Sequence, residues 1–168
     1  MAENFNKDRV TVLIDGNSVI YRAFYNVPPL TAGGVPTGVI HVFLSVLEKL
    51  RKNPEISDII IIFDAKGKNR RHEMFESYKA TRQAMPEDLI VQLNILKEML
   101  PYTGYPIYCV EGYEADDVIN TLSQTINNRV WIVTKDKDLH QLVNDKVQIY
   151  DYQKDEVIDR EKVYEKFG

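Results

Sequence analysis

An α/β fold built on a parallel sheet covered on both faces is what this sequence predicts, and three observations predict it. Short β-branched runs alternate with segments of helical period along the chain, the order expected of strand and helix in turn. The strongest runs, VTVLI at 10–14 and DIIIIF at 58–63, lack the apolar–polar alternation of a half-solvated strand. No internal repeat or linker breaks the 168 residues, so one domain is expected, long enough to bury roughly 70% of its unfolded surface.

Taken in order, the run at 10–14 reads as the first strand, ending at the turn signal Asp15-Gly16-Asn17. Residues 38–52 carry apolar side chains at 39, 43, 46 and 50 and at 40, 44 and 47, which predicts a helix with one broad buried face. The run at 58–63 is the second strand and stops at Asp64. A basic, partly helical segment follows, and Pro86 opens a helix with Leu89, Leu93, Leu96 and Leu100 at helical spacing. PIYCV at 106–110 is the third strand, and 114–126 a helix with Ala115, Val118, Ile119, Leu122 and Ile126 on one stripe. VWIVT at 130–134 is the fourth strand, leading through Lys135-Asp136-Lys137-Asp138 into a short helix ending at Val143. A fifth strand at 147–150 and a last helical turn at 160–167 complete the chain.

Composition excludes several classes. With 44% hydrophobic and 27% charged residues the chain is neither disordered nor of low complexity. Its single cysteine, Cys109, rules out an internal disulfide and a cysteine zinc cluster. The longest strongly apolar run, 59–63, is far too short to span a bilayer, and MAENFNKDRV has no apolar stretch of a signal peptide; a soluble, cytoplasmic protein without a membrane partner is expected. The net charge of −4 gives the whole molecule no electrostatic pull on nucleic acid, yet residues 65–85 hold six basic side chains against two acidic ones. Lys66, Lys68, Arg70, Arg71, Lys79 and Arg82 are interleaved there with Phe75 and Tyr78, which suits holding phosphates while stacking a base. A solvated helix with Phe75 on the core is the plainer reading of the same segment.

The acids carry the chemistry. Ligands of an open parallel sheet bind outside the carboxyl ends of its strands. Here Asp15 follows strand one, Asp64 strand two, Glu111, Glu114, Asp116 and Asp117 strand three, and Asp136 and Asp138 strand four, with no histidine or cysteine beside them. Carboxylates gathered so closely raise one another's pKa unless a cation neutralises them, and an all-oxygen set suits Mg²⁺ or Mn²⁺ rather than zinc. Each acid also has a bland role: Asp15 and Asp136 as helix caps, Glu114, Asp116 and Asp117 as first-turn acids, Asp138 as a surface partner of Lys135 or Lys137. Glu114 and Asp116 flank opposite sides of the apolar stripe and Asp117 points away, so they can converge only at the helix tip. It is the coincidence over four strands that favours a metal site.

Other motifs give little. His41 falls in the buried helix and reads as a core histidine, His72 and His140 as exposed, and Cys109 as a small buried hydrophobe. Lys66-Gly67-Lys68 is no P-loop, because Ile62 stands where its first glycine belongs and Asn69 where Ser or Thr should follow the lysine.

IDGNSVIYRAF at 14–24, PLTAGGVPTG at 29–38, FDAKGKNRRHEMFESYKATR at 63–82, MPEDL at 85–89, EGYEADDVI at 111–119 and TKDKDLHQLV at 134–143 together resemble the 5′ nuclease domain at the amino end of bacterial DNA polymerase I. The likeness runs in order over essentially the whole chain. It implies a PIN-like (resolvase-like) three-layer domain with a partly helical arch insertion, removing nucleotides from DNA 5′ ends and cutting 5′ flaps in primer removal, replication and repair. It further implies metal-binding roles for Asp15, Asp64, Glu114, Asp116, Asp117, Asp136 and Asp138. Arg22, Lys79 and Arg82 would hold the scissile phosphate, Tyr78 would stack on a terminal base, and Lys66, Lys68, Arg70 and Arg71 would lie along the DNA. Two Mg²⁺ or Mn²⁺ ions about 4 Å apart would activate water and stabilise the attacking and leaving oxygens.

Two departures from the family stand out. By the resemblance, relatives usually carry glycine just before the Asp136 position, where this chain has Lys135; in a left-handed conformation lysine would cost on the order of 1 kcal/mol. After YEKFG the family continues into a helix-three-turn-helix segment that grips duplex DNA and adds aspartates to the second metal, so within these residues the second site is expected to be incomplete and the chain a catalytic core, a fragment or short form whose parent could carry a polymerase domain. The competing readings are an inactive nucleic-acid-binding module, a phosphoacceptor receiver domain and a PIN-like ribonuclease.

Overall fold

The computed structural model describes residues 5–65 and 84–168. Their elements, in order, are β1 (Asn6–Asp15), α1 (Gly16–Asn26), β2 (Thr31–Ala32), β3 (Val35–Pro36), α2 (Gly38–Arg51), β4 (Ile56–Ile62), α3 (Glu87–Met99), β5 (Ile107–Tyr108), α4 (Ala115–Thr125), β6 (Asn128–Val133), β7 (Val147–Asp151), β8 (Glu156–Ile158) and α5 (Arg160–Phe167). Short 3-10 helices cover Leu100–Thr103 and Lys137–Leu142.

Six strands form one sheet in the order β5-β4-β1-β6-β7-β8, parallel except for the last pair. The apolar runs are explained by its two covered faces. Val12 and Ile14 of β1, Ile59 and Ile61 of β4, and Trp131 and Val133 of β6 join one buried cluster with α1, α2 and α3. Leu13, Ile62, Val130 and Ile132 point the other way, against Ala115 and Ile119 of α4 and Leu139. Successive strand residues thus enter opposite cores, the arrangement that removes alternation from the sequence. Lys146, itself buried, closes α4 by donating from Nζ to the carbonyls of Gln124 and Ile126, both at 3.1 Å.

The turn signal at Asp15-Gly16-Asn17 opens a helix: Asp15 ends β1 and is at once the N-cap of α1, as its capping role expected. Several expectations are corrected. Strand three shrinks to two residues, because β5 is an edge strand that meets β4 only at Ile61 and Ile62. Cys109 lies just past it and is exposed, donating its thiol to the Asp64 carbonyl at 3.4 Å. The sheet is mixed, since the polar turn after Asp151 folds β8 back antiparallel through Asp155 at φ 54°. His41 is exposed, on the solvent side of α2 opposite Phe43 and Leu47. His140 is buried, its Nδ1 3.2 Å from the Asp136 carbonyl and its ring edge-on to Phe167. Lys135 has an ordinary backbone conformation: Asp155 is the one non-glycine residue at positive φ among those described, so no strain attends the lysine. Among the described residues no helix is long and apolar enough to cross a membrane. His72, Phe75 and the cations of the basic segment lie outside the described residues.

Candidate metal centre

The strand order decides which acids meet. β5, β4, β1 and β6 are consecutive neighbours, so the residues after their carboxyl ends share one edge of the sheet. Asp15 sits at its middle, 5% exposed. One of its oxygens accepts the Ser18 N–H at 3.1 Å as the cap of α1, and the other accepts the Thr134 hydroxyl at 2.9 Å. Burial pushes the Asp15 carboxyl up to about 7 against these two hydrogen bonds, and the charges of Asp116 and Asp64 raise it further. The three carboxylates therefore feel one another.

Asp64 approaches from β4. Its backbone N–H donates to Asn17 Oδ1 at 2.9 Å, and its own Oδ1 accepts the N–H of Ala115, at the tip of α4, at 2.7 Å. That tip gathers the third group. Glu114 is the buried N-cap, Asp117 accepts the Glu114 N–H at 3.3 Å, and the first turn of a helix favours the negative charge of both. Asp136 is tied in through Thr134, whose hydroxyl accepts the Asp136 N–H at 3.0 Å, and it caps the 3-10 helix by accepting the Asp138 N–H at 2.9 Å. Asp116, Asp117 and Asp138 line a common cleft of about 220 Å³ with Asn120 and Gln141.

The capping roles leave room for a ligand role, because a carboxylate has two oxygens and capping occupies one. Asp138 does not pair with Lys135, which turns instead to Asp151 at 2.6 Å. Glu111 is exposed in the turn before α4. Arg22 lies against the β7–β8 turn, where it bonds the Gln153 side chain and sits 3.6 Å from Asp151. Lys66, Lys68, Arg70, Arg71, Tyr78, Lys79 and Arg82 lie outside the described residues.

Three supporting residues escaped the sequence reading. Thr134, buried at the end of β6, bridges Asp15 and Asp136; Asn17 anchors Asp64; Ser18 Oγ accepts the Lys135 N–H at 2.7 Å. A polar residue ending an otherwise apolar strand was the available signal for Thr134. Thr134→Val keeps the shape but removes the donor to Asp15 and the acceptor for Asp136. We expect a loss of about 1–3 kcal/mol in urea unfolding, with any metal-dependent activity down roughly 10- to 100-fold. Unchanged activity would show that the bridge does not orient these acids.

Among the described residues no three His, Cys, Asp or Glu side chains stand close enough to hold an ion unaided. The donor set nevertheless fits a hard cation. Mg²⁺ keeps several waters and engages one or two carboxylates directly, so it needs no finished cage, and a buried carboxylate beside two others is a site where positive charge is missing.

Comparison with known proteins shows the family and the fold. Residues 10–168 match the family described as the 5′-3′ exonuclease, N-terminal resolvase-like domain. DNA polymerase I of Pseudomonas aeruginosa is 44% identical over 161 residues, which cover 94% of this chain and 18% of that protein. A 5′-3′ exonuclease of Aquifex aeolicus is 39% identical over 160 residues, covering 93% of this chain and 55% of the relative. The chain thus spans less than two thirds of either. Among solved structures, the T5 5′-exonuclease with bound zinc superposes with a TM-score of 0.73 at 24% identity, covering 94% of this chain and 60% of the other. The catalytic core of Rad2 in complex with DNA gives 0.56 at 20% identity, covering 97% and 49%. This chain belongs to the family of 5′-3′ exonuclease N-terminal, resolvase-like domains.

Proposed function

We propose that the chain is the catalytic core of a divalent-metal-dependent 5′-3′ exonuclease and 5′-flap endonuclease acting on DNA. The observation that carries this reading is the gathering of acids at one sheet edge, where the buried Asp15 ends β1 and Asp64, following β4, accepts the N–H at the acidic tip of α4. Asp15, Asp64, Glu114, Asp116, Asp117, Asp136 and Asp138 would hold Mg²⁺ or Mn²⁺, with room for two ions if further ligands come from elsewhere in a longer protein. The cation would supply an acidified water and neutralise charge on the phosphate.

The chain's own residues do the rest. Thr134 and Ser18 hold the two Asp15 oxygens in place, one hydrogen bond to each. Asn17 and the tip of α4 orient Asp64. Arg22, with Lys79 and Arg82, would hold the scissile phosphate and offset its developing charge, while Tyr78 stacks a terminal base and Lys66, Lys68, Arg70 and Arg71 follow the strand. Relatives of this domain include DNA polymerase I, so a polymerase domain is the expected covalent neighbour in a longer parent.

The test is cleavage of a 5′-labelled flap duplex, with DNA and RNA flaps of identical shape, in Mg²⁺, Mn²⁺ and EDTA. Short labelled products from the DNA flap, abolished by EDTA, are expected. Cutting confined to the RNA flap would replace this reading with a ribonuclease, and binding without cutting would replace it with a binding module.

A further inference from the structure

One cluster beside the acid edge has no part in the reading above except through Arg22. Asp151 ends β7 and is 4% exposed. Its Oδ1 accepts the backbone N–H groups of Gln153 at 3.0 Å and Lys154 at 3.4 Å, which fixes the carboxylate in the turn to β8. Its Oδ2 accepts from Lys135 Nζ at 2.6 Å, and Arg22 Nη1 stands 3.6 Å from Oδ1. The Arg22 guanidinium also lies over the Tyr152 ring, 5.2 Å from its centre, and donates to the Gln153 side chain. One buried carboxylate thus gathers two cations from elements far apart in sequence.

Lys135 keeps donors open to solvent, and Arg22 holds an unpaired one inside the cluster. Arg22 Nη1 is buried and makes no hydrogen bond, the 3.6 Å separation from Asp151 being too long for one. The Lys135 ammonium has three donors, gives one to Asp151 and is 41% exposed. Lys135 is also joined to the acid edge through its backbone: its N–H bonds Ser18, and it lies between Thr134, the partner of Asp15, and Asp136. Position 135 thus supplies a cation beside the acid edge, and Asp151 is the group that holds it.

We propose that Asp151 is a positioning residue that sets Arg22 and Lys135 side by side at the acid edge, so that the free Lys135 donors and the Arg22 positive charge act together on one phosphodiester of a nucleic-acid strand. This rests on the nuclease reading for its substrate. Lys135 thereby becomes a further phosphate contact of this chain. Charge alone predicts the opposite consequence of removing Asp151, since deleting an acid makes the surface more attractive to a polyanion.

Asp151→Asn keeps the oxygen that accepts from the turn and loses the charge, and a thermal melt confirms the fold. Two readouts are compared in wild type, Asp151→Asn, Arg22→Gln and the double variant: kcat/KM on a 5′-labelled flap duplex, and the Kd for a 5′-phosphorylated single-stranded DNA in EDTA. The expected result is a tenfold or larger fall in kcat/KM for Asp151→Asn, with Arg22→Gln costing at least tenfold when Asp151 is present and under threefold in the Asp151→Asn background. Lys135→Met, which leaves Asp151 paired with Arg22, is expected to lose three- to tenfold in kcat/KM without a change in melting. Equal Arg22→Gln effects in both backgrounds, or Asp151→Asn cleaving as fast as wild type, would overturn the proposal. If wild type cuts no DNA, the nuclease reading fails, and the coupling measured in Kd decides the positioning role by itself.

Discussion

Replacing Asp15 with asparagine is expected to raise the stability of the metal-free chain while removing its metal-dependent activity. In the folded protein the carboxyl titrates near 7, chiefly because it is buried, against 3.8 for the unfolded group. Below pH 3.8 both states hold the proton and the group contributes nothing. Between pH 3.8 and 7 the unfolded chain ionises while the folded one does not, so the folded state binds more protons and stability falls as pH rises. At about 1.4 kcal/mol per unit, the accumulated cost is roughly 4 kcal/mol above about pH 7. Asparagine cannot ionise and preserves an acceptor for Ser18. The difference in urea-unfolding free energy between variant and wild type in EDTA is therefore expected near zero at about pH 3.5 and largest above about pH 7. A divalent cation should stabilise wild type increasingly from about pH 6 to about pH 8 and leave the variant unmoved, with activity down on the order of 100-fold or more. A gap that does not depend on pH would show that Asp15 is not held protonated by its surroundings.

Gly16→Ala should damage fold and site together. A Cβ at this position would lie 2.5 Å from Phe63 Cε1 and 2.7 Å from Cδ1. The ring cannot readily retreat: Phe63 is 1% exposed and stacks on Phe43, also 1% exposed, with centroids 6.1 Å apart. Overpacking of this kind costs about 1–3 kcal/mol, or roughly 2–12 °C in Tm for a chain of this size. The strain also falls between two of the acids, since Gly16 follows Asp15 and Phe63 precedes Asp64. Cleavage per folded molecule is therefore expected to drop by tenfold or more, in excess of the stability loss. A Tm within about 1 °C of wild type would mean that α1 and β4 adjust independently of each other.

The strands and the main helices were legible because their cause is local. A run such as VTVLI or DIIIIF states both strand and double burial, and the stripes of α2 and α4 state their buried faces. The placement of Asp15, Asp64 and Asp136 at strand ends was legible for the same reason, and parallel neighbours turned that placement into one edge. What the sequence could not show depends on partners distant along the chain. Thr134 reaches Asp15 across 119 positions and Arg22 reaches Gln153 across 131, and nothing local marks either contact. His41 and His140 exchanged their expected environments because a single polar residue in a helix carries no signal of which way a broad apolar stripe will settle. Cys109 was misplaced by a strand end two residues too long, and β8 was missed because three residues after a polar turn have no periodicity to read. The conformation of Lys135 depended on neither propensity nor spacing; Asp151 and Ser18 fix its two ends.

Whether the carboxyl edge of β5, β4, β1 and β6 is a cation site is tested most directly by calorimetric titration of Mn²⁺ and Mg²⁺ into the chain at about pH 8, against Asp116→Ala. Asp116 lies in the first turn of α4 and contributes to the raised Asp15 carboxyl, so its removal weakens the site with the Asp15 cap left in place. Binding at millimolar concentration or tighter, lost or at least tenfold weaker in Asp116→Ala, is the predicted result. No heat of binding at several millimolar of either ion, or equal affinity in the variant, would contradict it.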